Sequence, residues 1–196
     1  PVSRFIPVAR VTDMLENPGG TVPYNGQTLT YPNIKLIYWA GGNPFHHHQD
    51  LNRMRAAWRK PDTIVVNEPF WTATAQHADI VFPATTALER NDIGGASGDH
   101  DISPMRQVAQ PFGQARNDHD IFKGLAGRLD IEPAFSEART EMEWVEQIYD
   151  ATRLRALQHK VVLPSFAEFW QGDQINYVDQ LAETRFHLER FRSDPD

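Results

Sequence analysis

The stretch Ile34 to Arg53, IKLIYWAGGNPFHHHQDLNR, constrains this chain more than any other. Leu36 to Gly41 is a bulky apolar and aromatic run ending in glycine, too short to span a bilayer and suited to a strand buried on both faces of a sheet. Gly41 and Gly42 permit backbone angles that other residues avoid and let a ligand approach the main chain, and Pro44 stops the strand. Open parallel α/β sheets bind ligands beyond the carboxyl ends of their strands, so a site is expected at this mouth. An ordinary strand-to-helix loop accounts for the same letters equally well.

The neighbouring segments extend the pattern. Leu51, Met54, Arg55 and Trp58 fall at helical spacing within Gln49 to Trp58, Lys60-Pro61-Asp62 ends that helix, and Thr63 to Asn67 is the next strand. Strand, helix and strand in this span form the βαβ unit of a parallel sheet, which puts Asn67 and Glu68 in a second carboxyl-end loop. Phe70 to Gln76 reads as a loop entering one helical turn with Thr72 as cap, and Ile80 to Phe82 is a third strand stopped by Pro83. The fold class is α/β: a doubly wound, mostly parallel sheet flanked by helices. Asn25-Gly26 between Tyr24 and Gln27 predicts a small N-terminal hairpin. We therefore expect one domain, with a flap over 1–33, a parallel core over 34–130 and a mainly helical segment over 131–196. Gly94 to Gly98 and Asp99 to Pro104 are expected as loop, with an extended segment within Ile102 to Pro111. Helices are expected from about Asp118, from a cap at Ser136 to Leu157, and within Tyr177 to Phe191, with an aromatic turn at Ser165 to Trp170.

Composition narrows the chemistry. No cysteine is present among the 196 residues, which excludes disulfides, thiolate metal sites and a cysteine nucleophile within them. A formal charge of -7 without clustered Lys and Arg argues against nucleic acid, and no run approaches the roughly 20 apolar residues of a membrane span. His46-His47-His48 invites a metal, but adjacent histidines at a loop-to-helix junction point apart, and one lining the pocket, one packing and one exposed is the reading favoured here. Asp79, Glu89, Asp92 and Asp118 fit paired acid–base carboxylates and equally fit helix caps and turns. The chain begins at Pro1 without a secretory pattern and ends in FRSDPD without a capping element, so it is expected to be processed or an excerpt.

The run IKLIYWAGGNPFHHHQDLNRMRAAWRKPDTIVVNEP, followed by WTATAQHADIVFPATTALERNDIG, resembles the molybdopterin-dependent oxidoreductases of the dimethyl sulfoxide reductase family, in the branch that reduces dimethyl sulfoxide, trimethylamine N-oxide and biotin sulfoxide. The resemblance extends from about Ile6 to the FRSDP end. It implies an internal α/β domain of a larger enzyme that helps hold one of two molybdopterin guanine dinucleotides on molybdenum. The serine ligating the metal and most of the cofactor cradle would lie elsewhere in the parent, so the isolated segment would be inactive and without the cofactor. Gly42 and Asn43 of GGNP, His47, Asn67, Glu68, Arg90 of LERND and Asp118 of ARND (or Asp120 beside it) match positions that contact the cofactor. No residue here matches a metal ligand or a catalytic group. The partners implied are the remaining domains of the parent and an unspecified electron donor, in the bacterial periplasm or cytoplasm. A non-catalytic α/β nucleotide-binding or interaction module on the same scaffold is the alternative.

Overall fold

The best buried strand is Thr63–Glu68, whose four central residues are all inaccessible. A computed structural model of the chain describes residues 5–96, 99–181 and 188–194. Contacts divide it into two compact units: Pro1–Thr85 with Phe112–Ile121, and Thr86–Pro111 with Phe122–Asp196.

The first unit begins with α1 (Val11–Glu16) and a hairpin of β1 (Thr21–Tyr24) and β2 (Gln27–Thr30). Asn25 and Gly26 both take positive φ at its turn, as a two-residue hairpin requires. β3 (Leu36–Ala40) is followed by α2 (Pro44–His47) and α3 (Leu51–Ala57), then by β4 (Thr63–Glu68) and β5 (Ile80–Pro83). The three strands lie parallel in the order β3-β4-β5, with Ala40 opposite Asn67 and Asn67 opposite Phe82. Asp50 takes a left-handed conformation and accepts the Arg53 N–H, so the helix expected from Gln49 starts at Leu51.

The expectation that Leu36 to Gly41 is buried on both faces is corrected. β3 pairs only with β4 among the described residues, its centre is half-buried, and Leu36 is 57% exposed. The edge position explains this: the apolar run serves one face, and β4 is the buried centre. Strand alternation sorts the side chains. Ile37, Trp39, Ile64 and Val66 join Leu15, Phe45, Met54, Ala57 and Trp58 in one core, where each large side chain contributes roughly 2 kcal/mol. By register, Tyr38, Val65, Asn67 and Phe82 belong to the other face. Beside β5, Ala84 bridges in parallel to Arg116, which leads into α4 (Asp118–Arg128), a helix that crosses the boundary between the units.

In the second unit, β6 (Asp92–Gly94) and β8 (Ile175–Asn176) pair antiparallel with β7 (Asp101–Met105). Gly94 and Asp99 to Pro104, expected as loop, therefore lie largely in strands; Ser97 and Gly98 of that expectation fall outside the described residues. Pro104 is tolerated because β8 covers only Asp101 and Ile102, so its missing N–H costs no bond on that side. The helix expected from a cap at Ser136 to Leu157 begins only at Glu141, and Ser136 instead ends a separate short helix. α5 (Glu132–Ser136) ends on the left-handed Glu137 and Ala138, and α6 (Glu141–Gln158) starts from Thr140, whose side chain accepts the Glu143 N–H while Glu143 caps in return. Ser165 and Glu168 repeat this box at α7 (Phe166–Gln171), so the aromatic turn is a short helix. Tyr149, stacked on Phe169 with centroids 4.2 Å apart, centres a core with Ile102, Val161 and Leu163. The helix expected within Tyr177 to Phe191 is α8 (Glu189–Ser193), residues 182–187 being outside the described set. No helix among the described residues is long and apolar enough to cross a membrane.

Candidate functional site

Three parallel strands of the first unit end side by side, and their carboxyl ends carry most of the residues singled out from the sequence. After β3 the backbone runs through Gly41 at φ +81 and Gly42 at φ +71, conformations that L side chains rarely adopt. A Cβ added to Gly41 would meet nothing within 4 Å, so the glycines answer a demand of the backbone, and the surface above them is open. The Trp39 indole N–H donates to the Gly41 carbonyl at 2.8 Å and braces the bend from below.

Asn43 stands before α2, yet its side chain does not cap that helix. Its Oδ1 accepts instead from the hydroxyl of Thr74, a fully buried residue of the loop after β4. This contact leaves the Asn43 amino group as the donor with no hydrogen-bond partner among the described residues. Phe45 anchors the turn by stacking on His77, with centroids 4.1 Å apart, and by meeting the Trp58 ring edge-on at 5.4 Å.

The three histidines differ in burial. His46 and His47 are exposed; His48 is half-buried, edge-on to Trp39 and stacked on His47 at 5.6 Å. Burial, and secondarily the neighbouring His47, lower the pKa of His48. His47 Cε1 lies 3.8 Å from where a Gly42 Cβ would be, beside the glycine bend. No three His, Asp or Glu side chains converge on a metal-sized space among the described residues.

Asn67 and Glu68 end β4 and do different things. Asn67, only 5% exposed, accepts the Tyr38 hydroxyl on Oδ1 at 2.8 Å and donates from Nδ2 to Asp118 Oδ1 at 2.7 Å. Burial raises the pKa of the Tyr38 phenol, the hydrogen bond to Asn67 opposes this, and the Asp118 charge adds to it, so Tyr38 remains the donor. Glu68 turns back on its own loop, accepting the Thr72 hydroxyl at 3.0 Å and the Phe70 N–H at 3.4 Å. Thr72, expected as a cap, accepts the Ala75 N–H on its oxygen at 3.3 Å, but the 3-10 turn Ala75–His77 starts from Thr74, whose side chain does not cap it. Asp118 opens α4, where its charge suits the helix N-terminus, and only its Oδ1 is engaged by Asn67.

Arg90 belongs to the second unit, where its Nε and Nη2 both hold Asp92 Oδ2, at 3.1 and 3.0 Å. An anion reaching Arg90 would compete with that carboxylate.

The structure thus gathers Gly42, Asn43, His47, Asn67, Glu68 and Asp118 on the first unit and holds Arg90 on the second. Sequence reasoning missed Tyr38, Thr72 as a partner of Glu68, and Thr74. Strand parity would have found Tyr38, which falls two residues before Ala40 on the face that Asn67 shares; Thr74 has no local signal.

A family model described as molybdopterin oxidoreductase matches residues 13–128. The chain is 48% identical over 196 residues to a biotin sulfoxide reductase of Cereibacter sphaeroides, covering 100% of this chain and 26% of that protein. It is 49% identical over 193 residues to a dimethyl sulfoxide/trimethylamine N-oxide reductase of Cereibacter sphaeroides, covering 97% and 23%. A trimethylamine-N-oxide reductase of Haemophilus influenzae is 46% identical over 194 residues, covering 96% and 23%. The chain therefore spans about a quarter of the length of these curated relatives. Among solved structures, acetylene hydratase from Pelobacter acetylenicus superposes with a TM-score of 0.57 at 21% identity over 75% of this chain and 19% of that one, a likeness of fold.

Proposed function

The chain belongs to the molybdopterin oxidoreductase family, and on that premise we propose that it forms part of the seat of a molybdopterin guanine dinucleotide in a molybdenum-dependent reductase of S-oxides or N-oxides. The family implies a molybdenum–pterin cofactor; its guanine dinucleotide form and the class of substrate belong to the proposal.

The observation that carries the reading is the state of Asp118. Asn67 engages one carboxylate oxygen from a buried position and leaves the other as an acceptor at the carboxyl end of the sheet. Guanine offers a ring N–H and an amino group, which a carboxylate accepts together. The remaining groups fit the rest of a dinucleotide. The Asn43 amino group and the open Gly41-Gly42 backbone suit polar oxygens of a ligand, and His47 stands beside that bend. On the second unit, taken by itself, Arg90 carries a permanent charge of the kind that suits phosphate and holds Asp92 with it. Glu68 serves by holding its loop through Thr72 and Phe70. None of these groups has to move a proton or form a bond; they bind, orient and keep polar atoms in register. When bound, molybdenum supplies the change of oxidation state that oxygen-atom transfer needs. In this reading the chain acts only together with the remaining domains of the parent.

The test is to change Asn43 and Arg90 separately to alanine in the full-length polypeptide and to measure guanine nucleotide released on acid hydrolysis per mole of protein. Reduced occupancy in either variant is expected; full occupancy in both would sink the assignment.

A further inference from the structure

We infer that Tyr38 is a positioning residue for guanine recognition, acting on Asp118 through Asn67. The inference rests on the proposed contact between Asp118 and guanine. The Tyr38 hydroxyl, Asn67 amide and Asp118 carboxylate form one continuous chain, with links of 2.8 and 2.7 Å, between β3, β4 and the start of α4.

The polarity of this chain is fixed from its far end. A carboxylate oxygen can only accept, so the Asn67 amide must turn its amino group toward Asp118. Its carbonyl oxygen then faces Tyr38, which must donate. Reversing the amide would set two acceptors against each other at hydrogen-bond distance. Asn67 is almost wholly buried and cannot exchange either link for water without cost.

The consequence is geometric. Asp118 opens a helix whose side chains there are only half-buried, and a lone carboxylate in that place would rotate about its side-chain bonds. Pinning Oδ1 to a buried amide fixes the plane of the carboxylate and so the direction in which Oδ2 accepts. A base with a ring N–H and an adjacent amino group needs that direction. Adenine presents an unprotonated ring nitrogen at the corresponding place and would meet the carboxylate as a second acceptor. Tyr38 therefore bears on which purine is held.

The probe is GDP against ADP, with affinities measured on the cofactor-free full-length polypeptide. The unchanged protein is expected to favour GDP, and Asp118→Asn to lose most of that preference. Tyr38→Phe keeps the ring and removes the link, and is expected to reduce the GDP preference roughly fivefold, the worth of one net hydrogen bond, with ADP affinity unchanged. In the Tyr38→Phe/Asp118→Asn double variant, the preference should equal that of Asp118→Asn alone. Asn67→Leu cuts the same chain at its middle and should reduce the preference at least as much, so a folding defect in one variant leaves the other to be read. A purely structural role for Tyr38 would weaken GDP and ADP equally with their ratio unchanged, and that result would overturn the inference while leaving the role of Asp118 intact. Absence of any GDP preference in the unchanged protein would overturn the guanine reading and the inference with it.

Discussion

Replacing Trp58 separates two opposing energies in the core beneath the glycine bend. Trp58 is 2% exposed, lies 5.4 Å from Phe45 and 5.6 Å from Trp39 between ring centroids, and its buried indole N–H finds no acceptor among the described residues. Trp58→Phe vacates roughly 40 Å3, which at the usual cavity cost is about 1 kcal/mol. The lost apolar transfer adds about 1 kcal/mol. Removing an orphaned buried N–H returns about 1–3 kcal/mol, so the net change should lie within about 1 kcal/mol of zero. Trp58→Ala empties the site and should cost about 3–5 kcal/mol. Hydrogen exchange of the amides at 63–68, read by mass spectrometry on the full-length polypeptide, reports this unit by itself. Since about 1.4 kcal/mol is tenfold, exchange should accelerate about a hundredfold or more in Trp58→Ala and stay within about tenfold in Trp58→Phe. Equal acceleration in the two variants would refute the reasoning, because the indole N–H would then contribute to stability.

Three further perturbations read other parts of the chain. Gly42→Ala adds a Cβ that meets only an ordinary 3.8 Å contact, so its cost is that of a left-handed backbone, about 1 kcal/mol or slightly more; faster exchange at 41–47 and weaker nucleotide retention should appear together. Hydrogen bonds from Arg10 and then Arg53 hold the Asp13 carboxylate below the ordinary aspartate value. The stability this contributes is fully present above that value and is lost as pH falls through the lower folded value. Arg53→Gln should therefore flatten part of the acid-side decline in urea midpoint, and an unchanged slope would remove Arg53 from the account. Thr140→Ala removes the hydroxyl half of the box at the start of α6 but keeps the backbone N–H at position 140 on Glu143, and should cost about 1 kcal/mol. The Glu143 pKa should rise only part of the way toward its ordinary value in an NMR titration, because that backbone hydrogen bond is the larger cause of its depression and the hydroxyl the smaller.

Much of this could be read along the chain because it depends on neighbours. The hairpin at Asn25-Gly26 follows from two residues that tolerate positive φ, and the bend at Gly41-Gly42 from two glycines before a proline. The parallel alignment of β3, β4 and β5 is expected because each short apolar run is ended by a polar or proline-bearing loop, and the pairing adds that β4 lies between the other two. The positions of Asn67 and Glu68 at a carboxyl end follow from that alignment. Burial was harder to read. The apolar letters of Leu36 to Ala40 are those of a central strand, and only the pairing makes β3 an edge. The segment that holds β6 and β7 reads as loop along the chain because it is rich in glycine and serine, and antiparallel partners distant in sequence overrule that propensity. The break between α5 and α6 turns on Glu137 and Ala138 in left-handed conformations, which neither residue type suggests.

The sequence alone determined the local events: where the backbone must turn, which runs become strands, and which polar residues stand at their carboxyl ends. Its long collinear pattern also determined the family. Tertiary structure decided how those polar residues are used. It paired Asn43 with Thr74, folded Glu68 onto its own loop, and made Asn67 the link between Tyr38, 29 residues before it, and Asp118, 51 residues after it. The physical reason is that a hydrogen bond needs a donor and an acceptor within about 3 Å, a condition that packing between elements satisfies and that spacing along the chain does not encode.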